Sequence, residues 1–162
     1  MEKERLLLCI SRYDHYYDSV NNKSNVFLTL SIFVVGGLVA GYSTLMDKVA
    51  CNSYLHFLMG ALISLGVANL LILTWTSLPF LSKNKTSLFY FGSIANMQVN
   101  DYTLKSAART TDEELDDLRL QAHSLATGLQ SKFKRLRIAG ILLIVQVIFF
   151  IPLVIYIINH VK

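Results

Sequence analysis

TDEELDDLRLQAHSLATGLQSKFKRLR (residues 111–137) runs on without a break into IAGILLIVQVIFFIPLVIYIIN (residues 138–159), and the spacing of this passage predicts one helix that begins in water and ends in a bilayer. Thr111-Asp112-Glu113-Glu114 has the form of a capping box, in which hydroxyl and carboxylate each satisfy an orphan amide of the first turn. Asp112, Glu113, Glu114, Asp116 and Asp117 suit the positive end of the helix dipole. Leu115, Leu118, Ala122, Leu125, Leu129, Phe133 and Leu136 then recur at three and four, an apolar seam. A basic collar of Lys132, Lys134, Arg135 and Arg137 follows, after which residues 138–161 carry no ionisable side chain of these classes except His160. A water-side helix rigidly joined to a spanning helix is a lever on the bilayer.

Working outward, the 162 residues are 53% hydrophobic with a mean hydropathy of +0.45, too apolar for an ordinary soluble domain. Ser24–Met46, Val49–Ser82 and Ile138–Val161 lack Asp, Glu, Lys and Arg, and each exceeds the ~20 apolar residues a spanning helix needs. The expectation is an all-α membrane protein of three transmembrane helices, with an N-terminal amphipathic helix and a cytoplasmic stalk continuous with the third span. It divides into the amphipathic helix (1–24), a transmembrane hairpin (25–80), a helical stalk region (81–137) and the third span (138–162). No signal peptide is evident, because the first apolar stretch follows a charged helix and lacks a small-residue cleavage site. Of the fifteen Lys and Arg, all but Lys48 and Lys162 fall before span one or between spans two and three. By the positive-inside rule those regions face the cytoplasm and the C-terminus the periplasm of a bacterial inner membrane. Cys9 and Cys51 then lie on opposite sides and cannot pair within one chain.

Residues 2–21 form the amphipathic helix, with Leu6, Ile10, Tyr13, Tyr17 and Val20 as its seam; Asn21-Asn22-Lys23-Ser24-Asn25 is expected to break or bend the chain at the membrane surface. Span one covers Val26–Met46, where Gly37-x-x-x-Gly41 permits close helix approach, and the 47–53 hairpin leads to span two at Tyr54–Leu78. Trp75 stands at the interface and Pro79 ends the helix. Lys83-Asn84-Lys85 reads as a turn, Leu88–Gly92 as a re-entrant or interfacial piece, and Val99–Ala108 as a short helix. The two apolar seams cannot stay wet, so the N-terminal helix and the stalk should pack in parallel, within one subunit or across an oligomer.

Catalysis finds no support: there is no nucleophile elbow, phosphate-binding loop or metal-binding His-Glu-x-x-His helix, and no cofactor or metal is expected. His123 is expected to make a buried hydrogen bond between helices, and the run Asp112–Asp117 is read as a solvated helix start, with a divalent-ion site the alternative. The basic residues have two readings. A border collar attracts anionic lipid headgroups at roughly 1 kcal/mol per residue. Alternatively Arg12, Lys105, Arg109, Arg119, Lys132 and Arg135, with Lys83, Lys85 and Arg137, make an electropositive vestibule for nucleotide phosphates. Tyr16, flanked by Tyr13 and Tyr17, could stack a base there, although packing in the seam is the favoured reading of the three tyrosines. Asn69 and Gln146, in the middle of spans two and three, are either interhelical glue or a pore lining. The spans carry no charge, which leaves voltage sensing and proton relays unsupported.

From Phe89 to Gly140 the chain resembles the Pycsar effector membrane family of bacterial antiphage defence. The likeness rests on Phe89-Tyr90-Phe91-Gly92-Ser93-Ile94-Ala95, Tyr102, Thr111-Asp112-Glu113-Glu114-Leu115, Gln121-Ala122-His123-Ser124-Leu125-Ala126 and Lys132-Phe133-Lys134-Arg135-Leu136-Arg137. The resemblance implies a membrane effector controlled by the nucleotide product of a partner nucleotidyltransferase, one that depolarises the inner membrane and arrests growth. Such effectors can carry a cyclic-nucleotide-binding domain, for which this chain has no room. In its shortness the chain also resembles the membrane effector of the Hailong system, a channel held closed by a nucleic-acid product of its partner enzyme. The implied ligand is thus a regulatory nucleotide or short oligonucleotide, single-stranded nucleic acid included, and the implied assembly a homo-oligomer, with four copies a guess from resemblance. A non-conducting scaffold whose stalk recruits a partner protein is the alternative.

Overall fold

A computed structural model describes residues 1–45, 53–79 and 87–160, the side chain of residue 160 excepted. Lys48, Cys51, Lys83, Asn84, Lys85 and Lys162, with the ends assigned to span one and its hairpin, lie outside the described residues. Within them the chain forms five helices and no strand: α1 (Glu2–Leu45), α2 (Ser53–Ser77), α3 (Phe91–Ile94), α4 (Val99–Ala108) and α5 (Thr111–His160). Three of these, α1, α2 and α5, are long and apolar enough to cross a membrane.

The predicted break at Asn21–Asn25 is absent, and α1 passes through it. Asn and Ser each cost a helix less than ~1 kcal/mol, whereas a break near lipid strands several backbone groups without partners. Ser24 also takes a seam position. Leu6, Ile10, Tyr13, Tyr17, Val20, Ser24, Phe27, Ser31, Val34, Leu38, Gly41 and Leu45 alternate at four and three, and each is buried or half-buried.

The described chain divides into two compact units that share α1 and α5. In the first (Met1–Ser19 with Pro79–Lys132) the start of α1 lies parallel to the start of α5 within one chain. Lys3 meets Glu114 at 2.9 Å, and the Tyr17 hydroxyl donates to the Leu125 carbonyl at 3.0 Å. The α5 seam differs from expectation at one step. Phe133 is 40% exposed and Lys132 is buried, so the order runs Leu129, Lys132, Leu136. His123 is exposed, one position off the seam, and is not the buried interhelical group expected.

The second unit (Val20–Leu78 with Phe133–Lys162) packs α2 antiparallel to both α1 and α5. Ser31 faces Asn69 and Tyr42 faces His56, while Gln146 faces Leu62. Leu38, Leu55, Met59, Leu62 and Leu153 form its apolar core. Gly66 is where the three helices come closest. A Cβ there would collide with Val35 and lie 2.5 Å from Gln146 Nε2, so only glycine admits both neighbours. Gly37 and Gly41 have nothing within 4 Å of a built Cβ, so their motif joins no helices within the described chain.

Candidate functional site

The first unit's chemistry is organised around the turn from α4 into α5. The capping box exists one residue earlier than the sequence suggested. Thr110 is the cap: its N–H donates to Glu113 Oε2 at 2.9 Å, and Glu113 N–H donates back to Thr110 Oγ1 at 3.3 Å. Tandem threonines followed by tandem glutamates fit either register, and the earlier one leaves Glu114 free to pair with Lys3. Hydrogen bonds from the Thr110 amide first, then its hydroxyl, hold the Glu113 carboxyl below the usual Glu range.

Arg109 closes α4 in an extended conformation, which turns its side chain back onto α5. Its Nη1 lies 2.8 Å from Asp117 Oδ2 and its Nη2 donates to the Glu113 carbonyl at 3.2 Å. Asp117 is 3% exposed and Arg109 19%. This buried pair is held by proximity of charge, and Nη1 makes no aligned hydrogen bond in it. Removing one partner leaves an uncompensated charge, at a cost of about 3–5 kcal/mol.

Asp117 holds a second group. The Leu88 N–H donates to its Oδ2 at 2.9 Å, while Ser87 Oγ accepts from Phe89 and Tyr90 N–H, each at 3.1 Å. Ser87, Tyr90 and Ser93 are buried, and a Cβ at Gly92 would stand 2.6 Å from the Tyr90 ring. Leu88–Gly92 is a strap of the first unit, fastened to α5 by the Asp117 bond to the Leu88 amide, with the Phe89 and Tyr90 amides held by Ser87. Beside the strap lies a groove of about 360 Å³ lined by Leu88, Lys105, Ala108, Arg109 and Glu113. Lys105 is exposed there, with no ion pair among the described residues.

A second cavity, of about 510 Å³, is lined by Ser11, Arg12, His15 and Tyr16 on the outer face of α1. The i, i+3, i+4 spacing puts Arg12, His15 and Tyr16 on one side of the helix, all exposed, and Arg12 has no ion pair among the described residues. An uncommitted guanidinium beside an exposed phenol ring can meet a phosphate and a base together.

Arg119, Lys132 and Arg135 are engaged, whereas Arg137 is exposed. Arg119 grips both Glu2 oxygens at 2.9 Å and Asp116 at 2.6 Å, links that hold its guanidinium above its usual pKa. Lys132 Nζ sits 5.9 Å over the Tyr17 ring. Burial first, then the charge of Asp14, pushes the Tyr17 phenol up, which keeps it a neutral donor to Leu125. In the second unit, Arg135 stacks on Trp75 with its guanidinium 5.0 Å from the ring centre.

Asn69 and Gln146 are fully buried between helices of one chain. Asn69 Nδ2 donates to Ser31 Oγ at 3.0 Å and Gln146 Nε2 to the Leu62 carbonyl at 3.2 Å. Asn69 Oδ1 and Gln146 Oε1 find no partner among the described residues. The acidic run is dispersed among its own partners: Glu113 to the cap, Glu114 to Lys3, Asp116 to Arg119 and Asp117 to Arg109. No group of three or more His, Cys, Asp or Glu placed to hold a metal occurs among the described residues. Ser87, Glu2 and Gly66 were not singled out from sequence, and Asp117 only as a member of the acidic run. Their roles depend on partners far along the chain, and only the isolated glycine in an apolar span gave a local signal.

Comparison with known proteins gives one match, the family model described as Pycsar effector protein domain, over residues 5–159. No curated protein and no solved structure matches the chain.

Proposed function

Since the chain belongs to the Pycsar effector family, a family of antiphage membrane effectors, we propose that it is a nucleotide-controlled channel that depolarises the bacterial inner membrane and arrests growth. The observation that carries this reading is α5, one helix from the capped, ion-paired Thr111 end through the apolar stretch to His160. α5 is helical over 50 residues, with its hydrogen-bond ladder interrupted inside the span at Pro152, which has no N–H, so a change at the water-side end is carried into the span as far as that proline. The ligand is a nucleotide or short oligonucleotide, single-stranded nucleic acid included, made by a partner nucleotidyltransferase. Its proposed contacts are the uncommitted Arg12 and Lys105 and the exposed Tyr16, with Arg109, Arg119, Lys132 and Arg135 supplying positive field from within their own pairs. Three helices enclose too little space for a pore, so the working form is a homo-oligomer in the bilayer, drawn as a tetramer, with the N-terminus cytoplasmic and the C-terminus periplasmic.

Asn69 and Gln146 line the conducting path of the open state in this proposal. Each holds a buried carbonyl oxygen without a partner, a group that gains a hydrogen bond when water enters. Moving a population from 1:99 to 99:1 takes about 5.5 kcal/mol of differential affinity, within reach of a few phosphate contacts repeated around a ring. The test is membrane potential in cells that express the chain with and without its partner enzyme. The proposal expects a potential that changes with the enzyme's activity, and a potential indifferent to it contradicts the proposal. One observation favours the alternative of a non-conducting scaffold, namely that both amides already serve as links between helices of a single chain. A scaffold tolerates Asn69→Leu and Gln146→Leu without functional loss.

A further inference from the structure

The groove beside α4 is coupled to the strap through one side chain. Arg109 forms part of the groove wall and, from the same guanidinium, neutralises Asp117, which in turn holds the Leu88 N–H. Asp117 Oδ1 has no partner of its own among the described residues, so Arg109 and Leu88 are all that the structure gives this buried carboxylate. Lys105 lies on the same wall with its charge unspent. Glu113 also lines the groove, but its carboxylate is held by the Thr110 cap.

We infer that this groove takes a phosphate group between Lys105 and Arg109, and that the bound anion opens the strap by drawing Arg109 off Asp117. A phosphate monoester carries about −1.5 to −2 at neutral pH and three strong acceptor oxygens, against the single charge of Asp117. Its geometry matches a guanidinium fork at least as well as a carboxylate does. When Arg109 turns into the groove, Asp117 is left charged and uncompensated. The carboxylate then has to reach water, and the Leu88 bond breaks as it does. The groove, of about 360 Å³, falls in the usual range for small-molecule sites. A nucleotide's terminal phosphate offers that monoester, and a lipid headgroup offers a singly charged diester to the same guanidinium fork, so the experiment separates the two. This inference rests on the phosphate-ligand reading above and locates its switch.

The experiment is hydrogen–deuterium exchange on the full chain in a phosphate-free detergent, titrated with inorganic phosphate and with adenosine 5′-monophosphate. A parallel arm uses phosphatidylglycerol nanodiscs without added phosphate. Exchange at Leu88 should rise about tenfold on saturation, as expected for loss of one hydrogen bond to a charged acceptor. Lys105→Gln should demand several-fold more probe. Asp117→Asn keeps an acceptor for Leu88 but removes the charge, so its exchange should no longer respond. Acceleration with the soluble probes assigns the site to free phosphate, and acceleration in the nanodisc arm alone assigns it to headgroups. Leu88 exchange unchanged in every arm overturns the inference, as does an equal response in Asp117→Asn. Liposome flux that switches with the partner enzyme's product while Leu88 stays protected removes this inference and leaves the channel reading in place.

Discussion

Gly66→Ala places one methyl group where α1 and α5 both press on α2. The new Cβ would overlap Val35 and stand 2.5 Å from Gln146 Nε2, itself bonded to the Leu62 carbonyl at 3.2 Å. Val35 is β-branched and stiff, so it cannot swing away cheaply. Gln146 can move only by giving up its bond. Overpacking costs about 1–3 kcal/mol and an interhelical hydrogen bond in a membrane about 0.6, while Gly to Ala returns up to ~1 in helix propensity. The net loss is about 0.6–2.6 kcal/mol, a factor of roughly 3 to 80 in the unfolding equilibrium. The chain's single tryptophan, Trp75, lies in the same unit and packs on Arg135, so its fluorescence reports unfolding during an SDS titration in mixed micelles. Gly37→Ala is the control, since its Cβ has nothing within 4 Å in one chain. Equal stability of the two variants, or a Gly66→Ala loss below about 0.5 kcal/mol, would refute the three-helix packing around this glycine.

The remaining predictions concern the cap, the ion pairs and the buried amides. Thr110→Ala should destabilise the start of α5 by about 1 kcal/mol. The Glu113 pKa is depressed on folding, so its contribution is present above the ordinary Glu value of ~4.3 and lost as pH falls below it. Amide protection at Glu113 and Glu114, taken relative to the intrinsic exchange rate at each pH, should therefore fall on acidification in the native chain but not in Glu113→Gln. Asp117→Ala should cost about 3–5 kcal/mol and Arg119→Ala far less, because only the former breaks a buried pair. Limited trypsin cleavage after Lys105 and Arg109 would show the difference. Gln146→Leu should abolish ligand-dependent flux while changing stability by no more than about 1.7 kcal/mol, and undiminished flux would place the path elsewhere.

The spans and α4 were legible because each rests on a local signal: charge-free runs of spanning length, and a polar helix that ends before Arg109. The seams were legible for the same reason, to within one position. Phe133 looked like the seam residue because hydrophobicity was the criterion, yet Lys132 lies in it, its stem buried and its ammonium over Tyr17. Asn21–Asn25 looked like a break because propensity was weighed without the cost of freed amides at a membrane. The site was less legible. Arg109 and Arg119 read as free cations in the chain, and only the fold brings Arg119 to Glu2, 117 residues away. Arg12 and Lys105 are exposed, and so is Tyr16, which sequence reasoning had favoured as packing with the seam. What fastens the Leu88 strap was not legible, because the group that does so, Asp117, comes from another element.

The most direct measurement of the central claim is ion flux through the purified chain in liposomes, with and without the partner nucleotidyltransferase's product. The account predicts flux that switches with the product, its sign showing whether the ligand opens or closes the channel, and a shifted dose response in Arg12→Glu. Flux absent under both conditions, in liposomes where the protein is folded and inserted, would contradict it.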